Sequence, residues 1–171
     1  MPACAINPAW QTSVFTKLLE NVSFGEHGVL IKKPIQRGLE SSESDLLKSE
    51  EFIKVDTVNE FPPAIKEGLQ WLILDGGTIA DTSDAIQETD VQESSKKLPL
   101  RKLVNAGISD HFFLLTYRRG GYAPSICILL FEREGKKVFL TRGIDKANLC
   151  SLADAVKLIM DTGHHEIDTY W

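Results

Sequence analysis

The spacing of apolar residues and turn signals in the C-terminal half predicts three consecutive strands. Residues 111–117, 125–131 and 137–142 are short, mostly apolar runs, and the turn at 118–121 contains a Gly-Gly pair suited to a hairpin. Because short turns join antiparallel neighbours, residues 110–142 are predicted to form an antiparallel β-meander. The run 125–131 does not alternate between apolar and polar residues, which indicates a strand covered on both faces.

Helical periodicity is found on both sides of this meander. Residues 151–162 place apolar side chains on one stripe, with Ser151 and Asp154 resembling a capping box, and predict a C-terminal amphipathic helix. Residues 8–22 and 61–75 show similar spacing and predict N-terminal helices packed on the sheet. The other predicted elements are strands at 28–33 and 51–58, one or two helical turns within 38–50, and a short helix at 98–105.

The order of these elements defines the fold class. Consecutive strands with helices before and after them are typical of an α+β domain rather than of alternating βαβ units. A length of 171 residues with 43% hydrophobic and 25% charged residues fits a single domain, residues 1–171. The cysteines, Cys4, Cys127 and Cys150, are far apart and form no CxxC pair, which favours a reducing compartment.

Targeting and membrane signals are not recognisable in the sequence. Residues 1–8 contain neither the basic region nor the long apolar region of a signal peptide. The longest apolar runs are much shorter than the roughly 20 residues that span a bilayer. We therefore expect a cytoplasmic protein without membrane contact.

Charge is distributed unevenly along the chain. Residues 40–93 contain fourteen acidic and three basic residues, whereas residues 94–146 contain eleven basic and four acidic ones. Residues 79–97 hold few apolar side chains and predict a mobile acidic loop. This asymmetry attracts partners of opposite charge, unless the acidic and basic segments pack together and neutralise each other. A pI of about 5.4 argues against direct binding of nucleic acid.

Motifs that carry catalysis or bind cofactors are missing from the sequence. There is no P-loop, no GxSxG elbow and no Cys/His spacing typical of zinc. His164, His165 and Glu166 form the densest set of ligand-type residues, which we interpret as a polar tail. Arg118 and Arg119 can bind a phosphate or carboxylate, although a solvated hairpin tip explains them equally well. We therefore predict no catalytic residue, no metal and no cofactor, and the balance favours a protein that is not an enzyme.

These features together favour a protein-binding module with a basic protein partner. One such class is the immunity proteins, small acidic inhibitors that neutralise bacterial toxins, many of which are basic nucleases. In this interpretation the acidic loop contacts the partner. The predicted partner-binding residues are Asp81, Asp84, Glu88, Asp90 and Glu93.

Two alternatives remain open at this stage. A chaperone for a secreted effector is also small and acidic, but binds an extended segment of its client. A small-molecule-binding or enzymatic α+β domain would instead enclose a pocket beneath a curved sheet. Its polar lining would be drawn from His111, Tyr117, Arg118 and Tyr122.

Overall fold

The computed structural model describes residues 29–30, 39–72, 78–89, 98–121, 124–135, 137–145, 149 and 151–161. Three helices lie within these residues: α1 (Ser41–Ser49), α2 (Pro63–Leu72) and α3 (Leu152–Asp161). A short 3-10 turn, Val58–Glu60, precedes α2. The strands of these residues are β1 (Val29–Leu30), β2 (Ile53–Val55), β3 (Ile79–Ala80), β4 (Arg101–Ile108), β5 (Phe112–Arg119), β6 (Ser125–Glu134) and β7 (Lys137–Asp145).

The strands form one sheet in the order β1-β7-β6-β5-β4-β2, with β3 also paired to β4. Strands β4 to β7 are antiparallel neighbours in chain order, so the predicted meander is confirmed and gains a fourth strand. The two-residue strands β1 and β3 add parallel pairs, to β7 and β4 respectively. Strand β2 pairs with β4 in the antiparallel sense. The fold is thus α+β, which confirms the predicted fold class.

The prediction of a helix at 98–105 is wrong, because this segment contains most of strand β4. The spacing of Leu98, Leu103 and Val104 is compatible with a helix as well as with a strand, so the apolar pattern alone does not distinguish them. Pairing with β5 decides the conformation, since it satisfies the backbone of β4 along its whole length. A register shift between Leu103 and Asn105 further obscures the two-residue period of this strand.

The remaining predictions for single elements can be compared directly. The helices at 61–75 and 151–162 are confirmed as α2 and α3, and the strands at 28–33 and 51–58 as the shorter β1 and β2. Ser151 caps the last helix, because its hydroxyl accepts from the Asp154 N–H at 3.1 Å, but the hydroxyl also donates to Asp154 Oδ2, which replaces the reciprocal backbone bond of a full capping box. The predicted helix at 8–22 lies outside the described residues.

Both faces of the sheet are buried under helices. On one face, α2 packs Ile65 and Leu69 against a cluster that includes Phe113, Leu129 and Phe131. On the other face, α1 and α3 pack against a second cluster, formed by Leu47, Phe112, Leu114, Ile128, Leu130, Ala155 and Ile159. This confirms that the apolar run of β6 is covered on both sides. In the part of the chain that the structure describes, no helix is long and apolar enough to cross a membrane.

Leu47 of α1 offers a test of the second cluster, because its neighbour Leu46 supplies a matched control. Leu47 is 1% exposed whereas Leu46 is 36% exposed. We expect Leu47→Ala to lower the free energy of unfolding by about 3 kcal/mol, since it leaves a cavity between α1 and the sheet. Leu46→Ala should change it by less than about 0.5 kcal/mol. Urea denaturation of both variants measures the difference, and equal effects would contradict this packing.

Candidate functional site

The described members of the predicted partner-binding set, Asp81, Asp84 and Glu88, differ in exposure and in bonding. Asp81 is half-buried, and its Oδ1 accepts a hydrogen bond of 2.6 Å from the Val58 N–H. Asp84 is exposed, and its carboxylate accepts a bond from the Asp81 N–H at 3.3 Å. Glu88 is exposed and forms an ion pair with Arg118 at 3.4 Å. Asp90 and Glu93 lie outside the described residues.

Residues 79–89 are attached to the end of the sheet that carries Arg118 and Arg119, here called the basic hairpin. The Gln87 N–H donates to the Pro99 carbonyl at 2.8 Å, and the Gly121 N–H donates to the Glu88 carbonyl at 3.2 Å. A Cβ atom at Gly120 would lie 2.0 Å from the Gln87 carbonyl oxygen, so this contact requires glycine. Acidic and basic segments therefore meet within one molecule. The mobility predicted for residues 79–97 stays a prediction.

The ion pair at this end has a physical role in the sheet. Arg118 lies directly opposite Lys102 in the β4–β5 register, and like charges in such positions repel. The Glu88 carboxylate offsets part of that repulsion, and both side chains of the pair remain exposed to solvent.

The polar residues suggested for a small-molecule pocket are separated in the fold. Tyr117 is fully buried in the core beneath α2, and burial raises the pKa of its hydroxyl well above the usual range. Arg118 follows it on the strand and is exposed, so the two side chains face opposite ways. His111 precedes the other end of β5, and Tyr122 lies outside the described residues. The structure does not bring the three described residues together.

A different site, an open groove, lies where β2 and β4 approach the turn between β4 and β5. Its volume is about 610 Å³. The chain between α1 and β2 supplies one part of its lining, and the β4–β5 turn and the end of β6 supply the rest. Its lining includes the side chains of Glu50, Glu51, Ile53, Ile108, Asp110 and Arg133.

Hydrogen bonds hold this turn and the start of the groove in place. The His111 Nδ1 and Glu50 Oε1 atoms are 2.5 Å apart, which joins the end of α1 to the start of β5. The guanidinium of Arg133 donates to the Ser109 carbonyl, and the Arg133 N–H donates to the His111 carbonyl at 2.7 Å. The Phe112 N–H donates to the Ser109 hydroxyl. The β4–β5 turn is therefore fixed from both sides.

The environment of Glu50 favours its ionised form. Partial desolvation raises the pKa of this carboxyl, but hydrogen bonds from Ser109 and His111, together with the charge of His111, outweigh it. The net effect is a pKa below the usual value for glutamate. Glu50 thus contributes a fixed negative charge to the groove at neutral pH.

Two other carboxylates of the groove are available for a partner. Glu51 and Asp110 are exposed, and among the described residues neither side chain forms an ion pair or hydrogen bond. Beside them, Ile53 is 71% exposed, which is unusual for a large apolar side chain. Ile108 is half-buried and packs on the core below. The groove therefore combines unpaired negative charge with accessible apolar surface.

The pattern of the sequence does not reveal this site. Glu50 and His111 are 61 residues apart, and only the pairing of β2 with β4 brings their segments together. Asp110 is adjacent to His111 in sequence, but within the described residues its side chain makes no hydrogen bond. Ile53 lies on the same strand face as the buried Val55, so the alternation of residues does not predict that Ile53 is exposed.

Metal chemistry gains no support from this geometry. Across the described ranges, no group of three or more His, Cys, Asp or Glu residues is placed to hold a metal ion. His164, His165 and Glu166 lie outside these ranges. Comparisons with protein-family models, with curated proteins and with solved structures give no significant match to this chain.

Glu50 provides a test of the groove's anchoring through pH. Because its pKa is lowered on folding, the carboxylate stabilises the fold above about pH 4.3, and this contribution is lost as the pH falls through the folded pKa. We expect Glu50→Gln to be less stable than wild type at pH 6 by about 1 kcal/mol or less, with a smaller gap at about pH 3.5, below the unfolded pKa. Urea denaturation at both pH values measures it. Glu51→Gln, which removes an unpaired charge, is the control, and an equal gap at both pH values for Glu50→Gln would contradict the assignment.

Gly120 tests the attachment of residues 79–89 to the hairpin. We expect Gly120→Ala to destabilise the protein by about 2 kcal/mol, since the added methyl group collides with the Gln87 backbone. Gly135 has a φ of 62° but nothing within 4 Å of the added Cβ. Gly135→Ala should therefore cost only about 1 kcal/mol of backbone strain. Amide exchange at Gln87 and Gly121 should accelerate in the first variant alone, and unchanged exchange there would show that the contact is dispensable.

Proposed function

We propose that this chain is a non-enzymatic protein-binding module and that the groove beside β2 receives a basic partner. The observation that supports this most is that two carboxylates without an ion pair or hydrogen bond, Glu51 and Asp110, line the same groove as the exposed Ile53. Complementary charge steers a partner toward its site, while a central apolar contact supplies much of the affinity.

An immunity protein of the bacterial cytoplasm, which neutralises a toxin through its acidic surface, is the specific form of this proposal. A basic toxin would meet its strongest complementary charge at the groove. The exposed Asp84 and Glu88, here called the second acidic patch, belong to the segment bonded to the other end of β4, roughly 23 Å away for eight residues of strand. Glu88 of that patch is paired with Arg118, which offsets part of its charge within the molecule.

A chaperone for a secreted effector is the second candidate. The open form of the groove and its apolar residue favour this candidate, because a chaperone binds an extended client segment. The two candidates differ in the state of the partner. An immunity protein binds a folded toxin domain and abolishes its activity, whereas a chaperone binds a segment that remains extended.

Two variants with equal change in net charge test where the partner binds. Glu51→Gln with Asp110→Asn removes two charges from the groove, and Asp84→Asn with Glu88→Gln removes two from the other patch. The partner is captured on the wild-type protein from lysate of the source organism, identified, purified and rebound to each variant. We expect the groove variant to associate about tenfold more slowly, with weaker dependence on salt, and the patch variant to behave almost as wild type.

The alternative results are equally informative. A loss confined to the patch variant would place the contact on Asp84 and Glu88, as the sequence predicted. Association unchanged in both variants would overturn binding through these acidic surfaces.

A further inference from the structure

We propose that the groove recognises a lysine or arginine side chain presented by a short extended segment of the partner protein. The inference rests on the proposed function and specifies which side chain of the partner the groove binds. The aliphatic stem would lie on Ile53 and Ile108, and the cationic head would lie among the carboxylates of Glu51 and Asp110.

The chemistry of the lining matches the two parts of such a side chain. Lysine and arginine bury their methylene groups on apolar surface while the charged end stays in a polar environment. Ile53, at 71% exposure, and the half-buried Ile108 are opposite each other in the β2–β4 register, so they form one apolar strip. The exposed carboxylates lie beside this strip, at residues 51 and 110.

The other charged groups of the groove are already engaged. Glu50 is paired with His111, so its charge is held in position and already partly offset. The Arg133 guanidinium is bonded to the Ser109 carbonyl at the base of the turn. Glu51 and Asp110 against this one guanidinium leave the lining with an excess of negative charge, which disfavours an anionic segment and favours a cationic one.

The form of the groove indicates an extended segment as the occupant. It is open to solvent, and its volume of about 610 Å³ falls in the range of sites that enclose several groups of a ligand. Its lining comes from the ends of three strands and the chain before β2, which leaves room for a backbone to run along the groove. A segment with one basic residue between small residues would place the methylene stem of that residue on the apolar strip and its charged head among the carboxylates.

The test uses peptides that separate the stem from the charge. The full-length chain, labelled with ¹⁵N, is titrated with three capped five-residue peptides of glycine and serine around one central residue. That residue is lysine, norleucine with a similar stem and no charge, or diaminopropionic acid with a charge and a one-carbon stem. We expect the lysine peptide to shift the amides of Ile53, Ile108 and Asp110, and to bind about tenfold more tightly than either of the others.

Variants connect the peptide result to the residues. Glu51→Gln with Asp110→Asn should abolish the advantage of lysine over norleucine, and Ile53→Ser should abolish its advantage over diaminopropionic acid. Asp84→Asn with Glu88→Gln is the charge-matched control and should leave all three affinities unchanged. The amide spectrum of each variant shows whether it is folded.

Two results would overturn the inference. One is equal binding of the lysine peptide and either analogue, and the other is a set of shifted amides away from the groove. If the purified partner still requires Glu51 and Asp110 in that case, the proposed function stands and only this mode of recognition fails. If the partner does not require them, both fail together.

Discussion

Both faces of the central strands are mostly apolar and have to be covered, and the rest of the structure depends on that constraint. Every residue from Phe112 to Tyr117 is buried, as is every residue from Cys127 to Phe131. Because alternate residues point to opposite faces, both faces need an apolar cover. Helix α2 covers one face, and α1 with α3 covers the other. The covered faces are used for stability, so the accessible surface of the sheet lies at its ends and edges.

The two ends of strand β4 differ in how their charge is handled. At the Arg101 end, basic residues of β4 and β5 lie opposite one another, and the segment up to Glu88 is bonded onto them. At the Ile108 end, three carboxylates line a groove with an exposed isoleucine, and two of them have no partner in the described residues. The asymmetry seen along the sequence is thus partly neutralised within the fold, and part of the charge that is left lies at the groove.

The groove is built on a rigid support. Its turn is held by the Arg133 guanidinium and by the bond between His111 and Glu50, which links a helix end to a strand. A site whose donors and acceptors are fixed before binding loses less conformational entropy when a partner arrives. This preorganisation is consistent with recognition of one defined side chain, since the charges that surround it do not rearrange.

The sequence by itself determined the fold class, the meander, helices α2 and α3, and the double burial of β6, because these follow from local periodicity and turn chemistry. The segment of β4 was wrongly predicted as a helix. A strand with a register shift lacks a regular alternation of apolar and polar residues, and its conformation depends on pairing with β5. The sequence also directed attention to acidic residues that are close in sequence, of which Asp81 serves to hold the chain at Val58. Only the tertiary structure brought Glu50 to His111 and left Glu51, Ile53 and Asp110 together on the surface. Such contacts join segments about 60 residues apart, and no local pattern of residues encodes them.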